Sequence, residues 1–310
     1  MKNSKEEFNF ELFDSVELEI NSACNRDCGF CPRYYNRTGI RKDEAGNMVR
    51  KQMPTDKVKS VIDELIAMGF RGKIRFHRLS EPLVDKRYLG FVKYAKSKGL
   101  LVTDHTNGDV LKNDAELCKQ LDGLVDEYKI GLYDYTTHKG KQKEMAFWKN
   151  RFKKTKVIFS LPLEYTNIRQ DSKAYFKKYK NPKILDQPCD TRLNSLLIRY
   201  DGEVSLCCQD DECTFGLGNV FEKPIAEIWG SEKHRSVIDT VTKPGGRHKF
   251  ELCSKCYIFS GFQDEALSFR KRIFRKAKYI LMKTNDFAWE KGLINIRIKN
   301  AINSEAEKIF

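Results

Sequence analysis

The chain has 310 residues, 40% of them hydrophobic, and a formal net charge of +14. This length allows one large domain and a smaller one. No apolar run reaches the roughly eighteen residues that cross a membrane, and the N-terminal sequence MKNSKEEFNF lacks an apolar signal-peptide core. We therefore expect a cytoplasmic protein without a transmembrane segment. The positive charge either favours an anionic partner, such as phosphate, nucleic acid or an acidic membrane, or reflects a solvated lysine-rich surface.

Residues 14 to 165 alternate between strand-like and helix-like segments. The hydrophobic spacing predicts strands over 16–20, 73–77, 100–108, 127–133 and 156–163, and helices over 55–70, 88–99, 114–123 and 139–153. Strands that alternate with helices indicate an α/β fold with a parallel sheet. Five or six such units would make a partial barrel.

The alternating pattern ends near residues 180–190. Beyond it, the sequence SLLIRYDGEVSLCC predicts a β-hairpin with its turn at Asp201-Gly202, followed by a loop-rich segment. Six of the ten cysteines fall within residues 189–256. A small segment dense in cysteine is typical of metal ligation in place of a large core. We therefore expect three regions, at 14–180, 181–260 and 261–310, the last of them basic and mostly helical.

Three cysteines, Cys24, Cys28 and Cys31, follow the first predicted strand with the spacing C-x3-C-x2-C. A reducing cytosol disfavours structural disulfides, so clustered cysteines indicate metal or redox chemistry. Three thiolates can hold a [4Fe–4S] cluster and leave one iron free for another ligand. Spacing alone leaves two alternatives open: a zinc site that a distant residue completes, and cysteines buried in a core.

The position of this motif after the first strand, with the aromatic Phe30 before its last cysteine, resembles the radical SAM superfamily. Ser80-Glu81-Pro82 stands where that family has Gly-Glu-Pro, and Thr106-Asn107-Gly108 matches one of its common strand endings. The sequence departs from the family at Leu79-Ser80, which replaces Gly-Gly in the segment that approaches the amino group of S-adenosyl-L-methionine (SAM). The resemblance covers residues 14–260 and implies a partial (β/α)6 barrel.

The resemblance implies two cofactors at this end of the barrel. The three thiolates would hold a [4Fe–4S] cluster, and SAM would bind its fourth iron. One electron would cleave SAM to methionine and a 5′-deoxyadenosyl radical that removes a hydrogen atom from the substrate, while the protein positions the substrate and excludes water. The cofactor-binding residues that the resemblance implies are Phe30, near the adenine, Ser80, Glu81, Pro82 and Asn107. Without the motif, Glu81 would be an ordinary surface carboxylate and Phe30 a packing residue.

The second set of cysteines, together with Gly218-Asn219 and Ile228-Trp229, resembles the SPASM/twitch extension of radical SAM enzymes. The resemblance implies one auxiliary [4Fe–4S] cluster, held by Cys189, Cys207, Cys253 and Cys256. A full SPASM domain continues with further cysteines and holds two auxiliary clusters, but no cysteine follows Cys256. Cys208 and Cys213 remain substitute ligands or free thiols, and a zinc ribbon remains the alternative to a cluster. Cys118 lies in a predicted helix and is expected in the core.

Three classes of function compete. A single four-cysteine auxiliary cluster resembles the dehydrogenases that oxidise an alcohol of an aminocyclitol, sugar or other polyol to a ketone, with the auxiliary cluster as electron acceptor. The alternative is radical modification of a ribosomal peptide or protein side chain, although such enzymes often carry an N-terminal leader-recognition domain and two auxiliary clusters. A zinc-stabilised nucleic-acid module is the non-catalytic class, but no known module of that kind is evident.

Substrate-binding residues are the least constrained part of the sequence. Arg169, with Tyr165 and Asn167, follows the last predicted barrel strand, where ligand-binding residues collect, and is the candidate catalytic residue. It could hold a phosphate or a hydroxyl group, or it is a solvent-exposed loop residue. The histidines near predicted strand ends are expected to be structural: His77, His105 and His138.

The implied partners are a small-molecule substrate, which could be phosphorylated or lipid-linked, and an external one-electron reductant such as flavodoxin or ferredoxin. Residues 269–283, FRKRIFRKAKYILMK, carry seven lysines or arginines and no acidic residue. Their apolar residues recur at helical spacing. This segment is either a terminal helix packed on the barrel or a helix that docks on an anionic surface, such as a membrane.

Overall fold

The computed structural model describes residues 13–26, 28, 31, 44–45, 50–135, 137–160, 185–189, 194–211 and 213–256. All of these residues belong to one compact unit, Met1–Ile258. The other unit, Phe259–Phe310, lies outside the described residues, as does the predicted helix at 269–283. Within the described part of the chain, no helix is long and apolar enough to cross a membrane.

Strands and helices alternate through the first half of the chain. The elements are β1 (Ser15–Leu18), α1 (Thr55–Ala67), β2 (Lys73–Arg75), α2 (Tyr88–Ser97), β3 (Leu101–Thr106), α3 (Asp109–Asn113), α4 (Ala115–Leu121), β4 (Glu127–Gly131), α5 (His138–Arg151) and β5 (Lys156–Ser160). Each of the nine predicted elements overlaps one of these, and most predicted elements end a few residues later than the observed ones. The short helix α3 is an addition to the predicted set.

The second half of the chain has shorter elements. They are β6 (Ser195–Ile198), β7 (Glu203–Ser205), β8 (Gly218–Asn219), α6 (Ile225–Trp229), α7 (Glu232–Val241) and α8 (Glu251–Ser254). β6 and β7 pair antiparallel and form the predicted hairpin. Its turn contains Gly202 at φ 86°, a backbone conformation that glycine adopts without steric cost.

One eight-stranded sheet joins the two halves, in the order β5-β4-β3-β2-β1-β6-β7-β8. The first five strands are parallel, as predicted. β6 extends this parallel sheet by pairing with β1, from Ser15↔Ser195 to Leu18↔Ile198. The hairpin is therefore continuous with the parallel strands, so the segments that carry the two cysteine sets are connected to one sheet.

Alternation along the strands divides the sheet into an apolar face and a polar face. Val16 and Leu18 of β1, Ile74 of β2 and Val102 of β3 are buried in the main hydrophobic core. The amphipathic helices pack on that core; in α1, for example, Val58, Val61, Ile62 and Leu65 recur three or four residues apart and are buried. The opposite strand positions include Glu17, whose neighbour in β2 is Arg75. The polar face therefore remains for the functional site.

Candidate functional site

The first cysteine set lies in the loop directly after β1. The backbone N–H of Cys31 donates to the carbonyl of Cys28 at 2.8 Å, which closes a turn. The N–H of Arg26 points at Cys24 Sγ, 3.4 Å away. Burial and the neighbouring thiols of Cys31 and Cys24 raise the pKa of Cys28 to about 11. Three thiols that affect one another in this way are a donor set suited to a cluster whose metal ions stabilise the thiolates.

This loop is joined by hydrogen bonds to the Ser80-Glu81-Pro82 motif. The N–H of Glu81 donates to the carbonyl of Ala23 at 2.9 Å. Asn21 completes the connection because its side chain accepts from the N–H of Ala23 at 2.7 Å and donates to the carbonyl of Glu81 at 3.4 Å. The motif backbone is thus held against the chain that enters the cysteine loop.

The Glu81 carboxylate connects this motif with Thr106-Asn107-Gly108. Its oxygens accept from Thr106 Oγ1 and from the N–H of Asn107, both at 2.8 Å, and from the N–H of Leu83 at 3.3 Å. Glu81 is only 2% exposed, and burial raises its pKa to about 7. Glu81 is therefore a buried carboxylate that joins the segments after two strands, and not an ordinary surface carboxylate.

Asn107 lies between the Glu81 carboxylate and the cysteine loop. Its Nδ2 donates to Asn25 Oδ1 at 2.8 Å and lies 3.9 Å from Cys24 Sγ. Pro82 starts a 3₁₀ turn, Pro82–Val84, that Glu81 caps. The residues that the family resemblance implies for cofactor binding, except Phe30, are therefore brought together at one end of the sheet.

Ser80 supplies a test of whether this site suits a polar cofactor. Its Oγ is buried and has no hydrogen-bond partner among the described residues. A buried hydroxyl without a partner costs free energy, which a ligand atom can recover by bonding to it. The free hydroxyl and the adjoining motif backbone fit a ligand with amino and carboxylate groups. The serine that replaces the family's glycine is thus compatible with SAM.

Arg26 fixes the cysteine loop to two other strand ends. Its Nε and Nη2 donate to Asp109 at 2.6 and 2.5 Å, and Nη1 and Nη2 donate to Asp134 at 3.0 and 2.8 Å. Asn25 also donates to Asp109, at 2.9 Å. We call Arg26, Asp109 and Asp134 the arginine latch. The sequence does not predict it, because an arginine inside a cysteine motif gives no signal of which carboxylates it contacts.

Charged and hydroxyl side chains continue along the polar face of the sheet. Arg75 Nη1 lies 3.3 Å from Glu17 Oε1, and the hydroxyls of Ser15 and Ser195 are 2.9 Å apart. Beyond the end of β2, Arg78 donates to Ser205 Oγ at 2.7 Å and to the carbonyl of Asp210 at 2.6 Å. The polar side chains of this face therefore pair with one another, and Arg78 connects the end of β2 with the second cysteine segment.

The second cysteine set is gathered around the end of the hairpin and α8. Burial and the nearby thiols of Cys189 and Cys256 raise the pKa of Cys253 to about 12. Burial also raises the pKa of Cys207, with Cys208 and Cys256 as further contributors. These electrostatic interactions connect Cys189, Cys207, Cys253 and Cys256 with one another, as expected for the ligands of one auxiliary cluster.

Cys208 and Cys213 differ in their surroundings. Cys208 adjoins Cys207 in sequence and contributes to its electrostatics. Cys213 Sγ points to the carbonyl of Val204 at 3.3 Å. Burial raises the pKa of Cys213, and Ser205, Asp210, Arg78 and Arg199 modify it. Cys208 therefore lies beside another thiol of the second set, whereas the side chains that most influence Cys213 are polar or charged.

Two buried polar residues organise the second segment. Asp210, 1% exposed, accepts from the N–H of Leu206, the N–H of Phe215 and the hydroxyl of Thr214. Arg247, also 1% exposed, donates to the carbonyl of Cys256 at 2.6 Å. These contacts fix the loops on which the cysteines lie.

The remaining predicted positions fall into two groups. Cys118 is buried and lies 3.1 Å from the carbonyl of Leu111, which agrees with a core role. His138 is exposed at the start of α5. The predicted adenine contact and the substrate-binding candidates lie outside the described residues: Phe30, Tyr165, Asn167 and Arg169.

Comparisons with known proteins cover both cysteine sets. Residues 189–257 match the SPASM family, an iron–sulfur cluster-binding domain. The chain is 29% identical over 262 residues to the S-adenosyl-L-methionine-dependent 2-deoxy-scyllo-inosamine dehydrogenase of Niallia circulans. That match covers 79% of this chain and 93% of the dehydrogenase.

Solved structures show the same fold. The crystal structure of BtrN in complex with AdoMet and 2-DOIA matches with a TM-score of 0.64 and 23% identity, over 81% of this chain and 95% of that chain. The structure of histidine-tagged anSMEcpe with bound AdoMet matches with a TM-score of 0.50 and 13% identity, over 80% and 85% of the two chains. The predicted α/β fold class is confirmed by these likenesses.

Proposed function

Because this chain has the fold of radical SAM enzymes and carries their SPASM domain, we propose that it oxidises an alcohol of a small aminocyclitol, sugar or other polyol to a ketone. The observation that carries this proposal is the 29% identity to an aminocyclitol dehydrogenase, over 93% of that enzyme. A match of that extent covers most of both chains and not a single shared domain. The proposed cofactors are SAM, one SAM-binding [4Fe–4S] cluster and one auxiliary [4Fe–4S] cluster.

Cys24, Cys28 and Cys31 would hold the first cluster through their thiolates. The Ser80-Glu81 backbone and the free Ser80 hydroxyl would receive the polar end of SAM, while Asn107 would orient it toward the cysteine loop. Glu81 would act indirectly, because its side chain is already used to fix the Thr106 and Asn107 strand end. When bound, this cofactor pair supplies a 5′-deoxyadenosyl radical that removes a hydrogen atom from the substrate.

Cys189, Cys207, Cys253 and Cys256 would hold the auxiliary cluster, which supplies a one-electron acceptor. The role of this segment is to keep that acceptor close to the substrate. Arg78 supports such a connection because it extends from the loop after β2 to Ser205 and Asp210 in the cysteine-bearing hairpin. The Cys189–Cys256 segment would thus be fixed to the part of the barrel that binds SAM.

Polar side chains at the strand ends that carry the cofactor motifs, such as Arg78 and Asn107, favour a substrate with many hydrogen-bonding groups. A polyol or amino sugar can exchange its hydrogen bonds with water for bonds to such groups, whereas an apolar substrate would remove them from water without replacement. We propose that Arg169 contacts a hydroxyl or phosphate group of the substrate.

Several finer features belong to this proposal. We infer a cytoplasmic enzyme organised as a barrel over 14–180, an auxiliary-cluster region over 181–260 and a basic extension over 261–310. Its reductant would be a flavodoxin or ferredoxin.

Docking of the extension on an anionic surface can be tested by co-sedimentation with neutral and anionic liposomes, at low and high salt, because electrostatic attraction weakens with salt.

The activity can be tested directly with the anaerobically reconstituted chain. The assay supplies SAM, a one-electron reductant and 2-deoxy-scyllo-inosamine, and it measures 5′-deoxyadenosine and a ketone product lighter by two hydrogens. A panel of other aminocyclitols and sugars would then define the substrate. A chain that binds zinc and never cleaves SAM under strong reduction would refute the enzyme assignment.

A further inference from the structure

The ends of β2 and β3 bring two histidines and a carboxylate together beside the cofactor motifs. His77 follows β2, and Asp104 and His105 belong to β3. His77 Nδ1 lies 2.5 Å from Asp104 Oδ1. The rings of His77 and His105 stack with their centroids 4.2 Å apart and an angle of 18° between their planes. This arrangement is more specific than the general structural role that the sequence suggests for these histidines.

Asp104 is placed to fix the tautomer of His77. Its side chain is fully buried, and it also accepts from the N–H of Phe76 at 3.0 Å and from the N–H of His105 at 3.0 Å. Two acceptors would repel one another at 2.5 Å, so this contact favours the tautomer with the hydrogen on Nδ1, even though the N–H of His105 also points at Nδ1 from 3.3 Å. In a neutral imidazole the other nitrogen, Nε2, is then a proton acceptor.

The pair adjoins the proposed SAM site on both strands. His77 precedes Ser80 by three residues, and His105 directly precedes Thr106, which donates to Glu81 at 2.8 Å. Within β3, His105 alternates with the core residue Val102 and the inward-facing Asp104, so it belongs to the polar face of the sheet. The imidazole stacked on it therefore lies at the border between the core and the polar face.

The other ionisable groups near the pair come from three neighbouring segments. Glu81 interacts with the Asp104 charge from the motif after β2. Tyr88 from α2 and Tyr128 from β4 approach Asp104 from the core, and their hydroxyls are 3.0 Å apart. Burial raises the pKa of both tyrosines, which therefore stay neutral. Among these groups, the His77 imidazole combines a basic nitrogen with a carboxylate that orients it.

We propose that His77 takes the hydroxyl proton of the substrate during alcohol oxidation and that Asp104 is the positioning residue for its imidazole. This inference rests on the proposed function. Histidine is the side chain that most often transfers protons in enzymes. A carboxylate behind the imidazole both selects the tautomer and stabilises the imidazolium that forms.

The proposed step begins after a hydrogen atom has left the carbinol carbon. The remaining carbon radical still carries its hydroxyl group. Its O–H bond would break, the proton would pass to His77 Nε2, and the carbon–oxygen double bond would form with loss of one electron, for which the auxiliary iron–sulfur cluster would supply the acceptor. The substrate thus loses one hydrogen as an atom and the other as a proton and an electron, which together account for conversion of the alcohol to the ketone.

The test compares the wild-type chain with His77→Gln, both reconstituted and supplied with 2-deoxy-scyllo-inosamine deuterated at the carbinol carbon. The glutamine side chain can still donate to Asp104, but it cannot take up a proton as an imidazole does. We expect deuterium to enter 5′-deoxyadenosine in both proteins, while the ketone formed per 5′-deoxyadenosine falls about a hundredfold in the variant. His138→Gln, an exposed histidine on α5, is the matched control and should keep the wild-type ratio.

A second readout does not depend on turnover. ¹⁵N-histidine NMR of the reconstituted wild-type chain should show His77 protonated at Nδ1, and Asp104→Asn should favour protonation at Nε2 because the asparagine amide can donate. Added imidazole should partly restore the ketone in His77→Ala. If His77→Ala does not fold, the His77→Gln ratio and the wild-type tautomer decide the question.

The outcomes separate two failures. A wild-type ketone ratio in His77→Gln, or an Nε2-protonated His77 in the wild-type chain, would overturn the role of His77 and leave alcohol oxidation intact. A wild-type enzyme that yields neither ketone nor deuterated 5′-deoxyadenosine from any polyol tested would overturn the proposed function, and the role of His77 with it.

Discussion

Different kinds of contact hold the two cysteine regions, the loop with Cys24 and Cys28 and the segment with Cys253 and Cys256. The first loop depends on polar contacts with distant residues: the arginine latch and the hydrogen bond from the N–H of Glu81 to the carbonyl of Ala23. The second depends mainly on apolar packing. Phe215 packs edge-on against Phe250, just before α8, with ring centroids 5.7 Å apart.

The helices before α8 are also held by apolar packing, which includes a contact with the N-terminal residue Phe13. Val237 and Val241 of α7 are buried in the main core, and Trp229 of α6 packs edge-on against Phe13, with centroids 5.1 Å apart. Two buried polar residues are exceptions: Arg247 donates to the Cys256 carbonyl, and Asp210 accepts from Leu206, Thr214 and Phe215. The contrast suggests a division of roles: the first loop needs polar groups near a charged cofactor, whereas the second segment is a folded support for an electron acceptor.

The largest effect that would test this division is loss of the first cluster. Changing Cys24, Cys28 and Cys31 together to alanine should reduce the iron content from about eight to about four per chain, because each cysteine set would hold one cubane. SAM cleavage should be abolished. Iron and sulfide counting after anaerobic reconstitution, together with a 5′-deoxyadenosine assay, measures both. An iron content that stays at the wild-type level would break the assignment of separate clusters.

The next effect concerns the second segment alone. Cys253→Ala combined with Cys256→Ala should spare SAM cleavage and block ketone formation, because the electron left on the substrate would have no acceptor. Circular dichroism must show that the variant is folded. Cys118→Ala, a buried cysteine outside both sets, is the control for loss of a thiol. Full ketone yield from a folded variant without auxiliary iron would contradict the acceptor role.

The arginine latch offers a smaller change that should affect only the first region. Arg26→Gln leaves Asp109 and Asp134 without their cation, so the cysteine loop loses four charge-assisted hydrogen bonds. We expect a chelator to remove iron from the first cluster about tenfold faster, which corresponds to about 1.4 kcal/mol. Iron in the auxiliary cluster should be released at the wild-type rate.

The matched control for Arg26→Gln is Lys223→Gln, which removes a solvent-exposed ion pair with Glu227 in the second region. Exposed pairs of this kind contribute little to stability, so neither cluster should lose iron faster. Electron paramagnetic resonance would distinguish the two clusters during chelation. Equal acceleration of iron loss from both clusters in Arg26→Gln would show that the latch supports the whole fold and not the first loop.

Much of the framework could be predicted from local patterns. The spacing of Val58, Val61 and Leu65 indicates a helix on its own, and Asp201-Gly202 indicates a hairpin turn on its own. In both cases a short stretch of sequence contains the whole signal. The convergence of Glu81 with Asn107 followed from a family resemblance, and no periodicity in the sequence predicts it.

Contacts between distant residues could not be predicted in the same way. Arg26 meets Asp109 and Asp134 across 83 and 108 residues. Ser15 meets Ser195 across 180 residues, where β6 pairs with β1. Which carboxylate or strand is chosen depends on how the whole sheet closes, and many other pairings would have satisfied the same local patterns. The His77 and Asp104 pair belongs to this class, since its geometry depends on the relative position of two strands.

The smallest expected effect is a pH dependence that comes from Glu81. Burial raises the pKa of Glu81 from 4.5 to about 7, so the folded chain holds its proton more tightly than the unfolded chain does. The stabilisation that results is complete below pH 4.5 and is lost as the pH rises through 7; its upper limit is about 3 kcal/mol. In the second region, burial lowers the pKa of His234, so the wild-type pH dependence includes more than Glu81 and a Glu81 variant is needed to isolate its share. Guanidinium unfolding of the reconstituted protein without SAM, at pH 5 and pH 8, should therefore show a smaller loss of stability for Glu81→Gln than for the wild type.

Glu116→Gln, which removes an exposed carboxylate on α4, should behave as the wild type does. If Glu81→Gln and the wild type lost equal stability between the two pH values, Glu81 would already be ionised at pH 5, and its three hydrogen bonds would outweigh its burial.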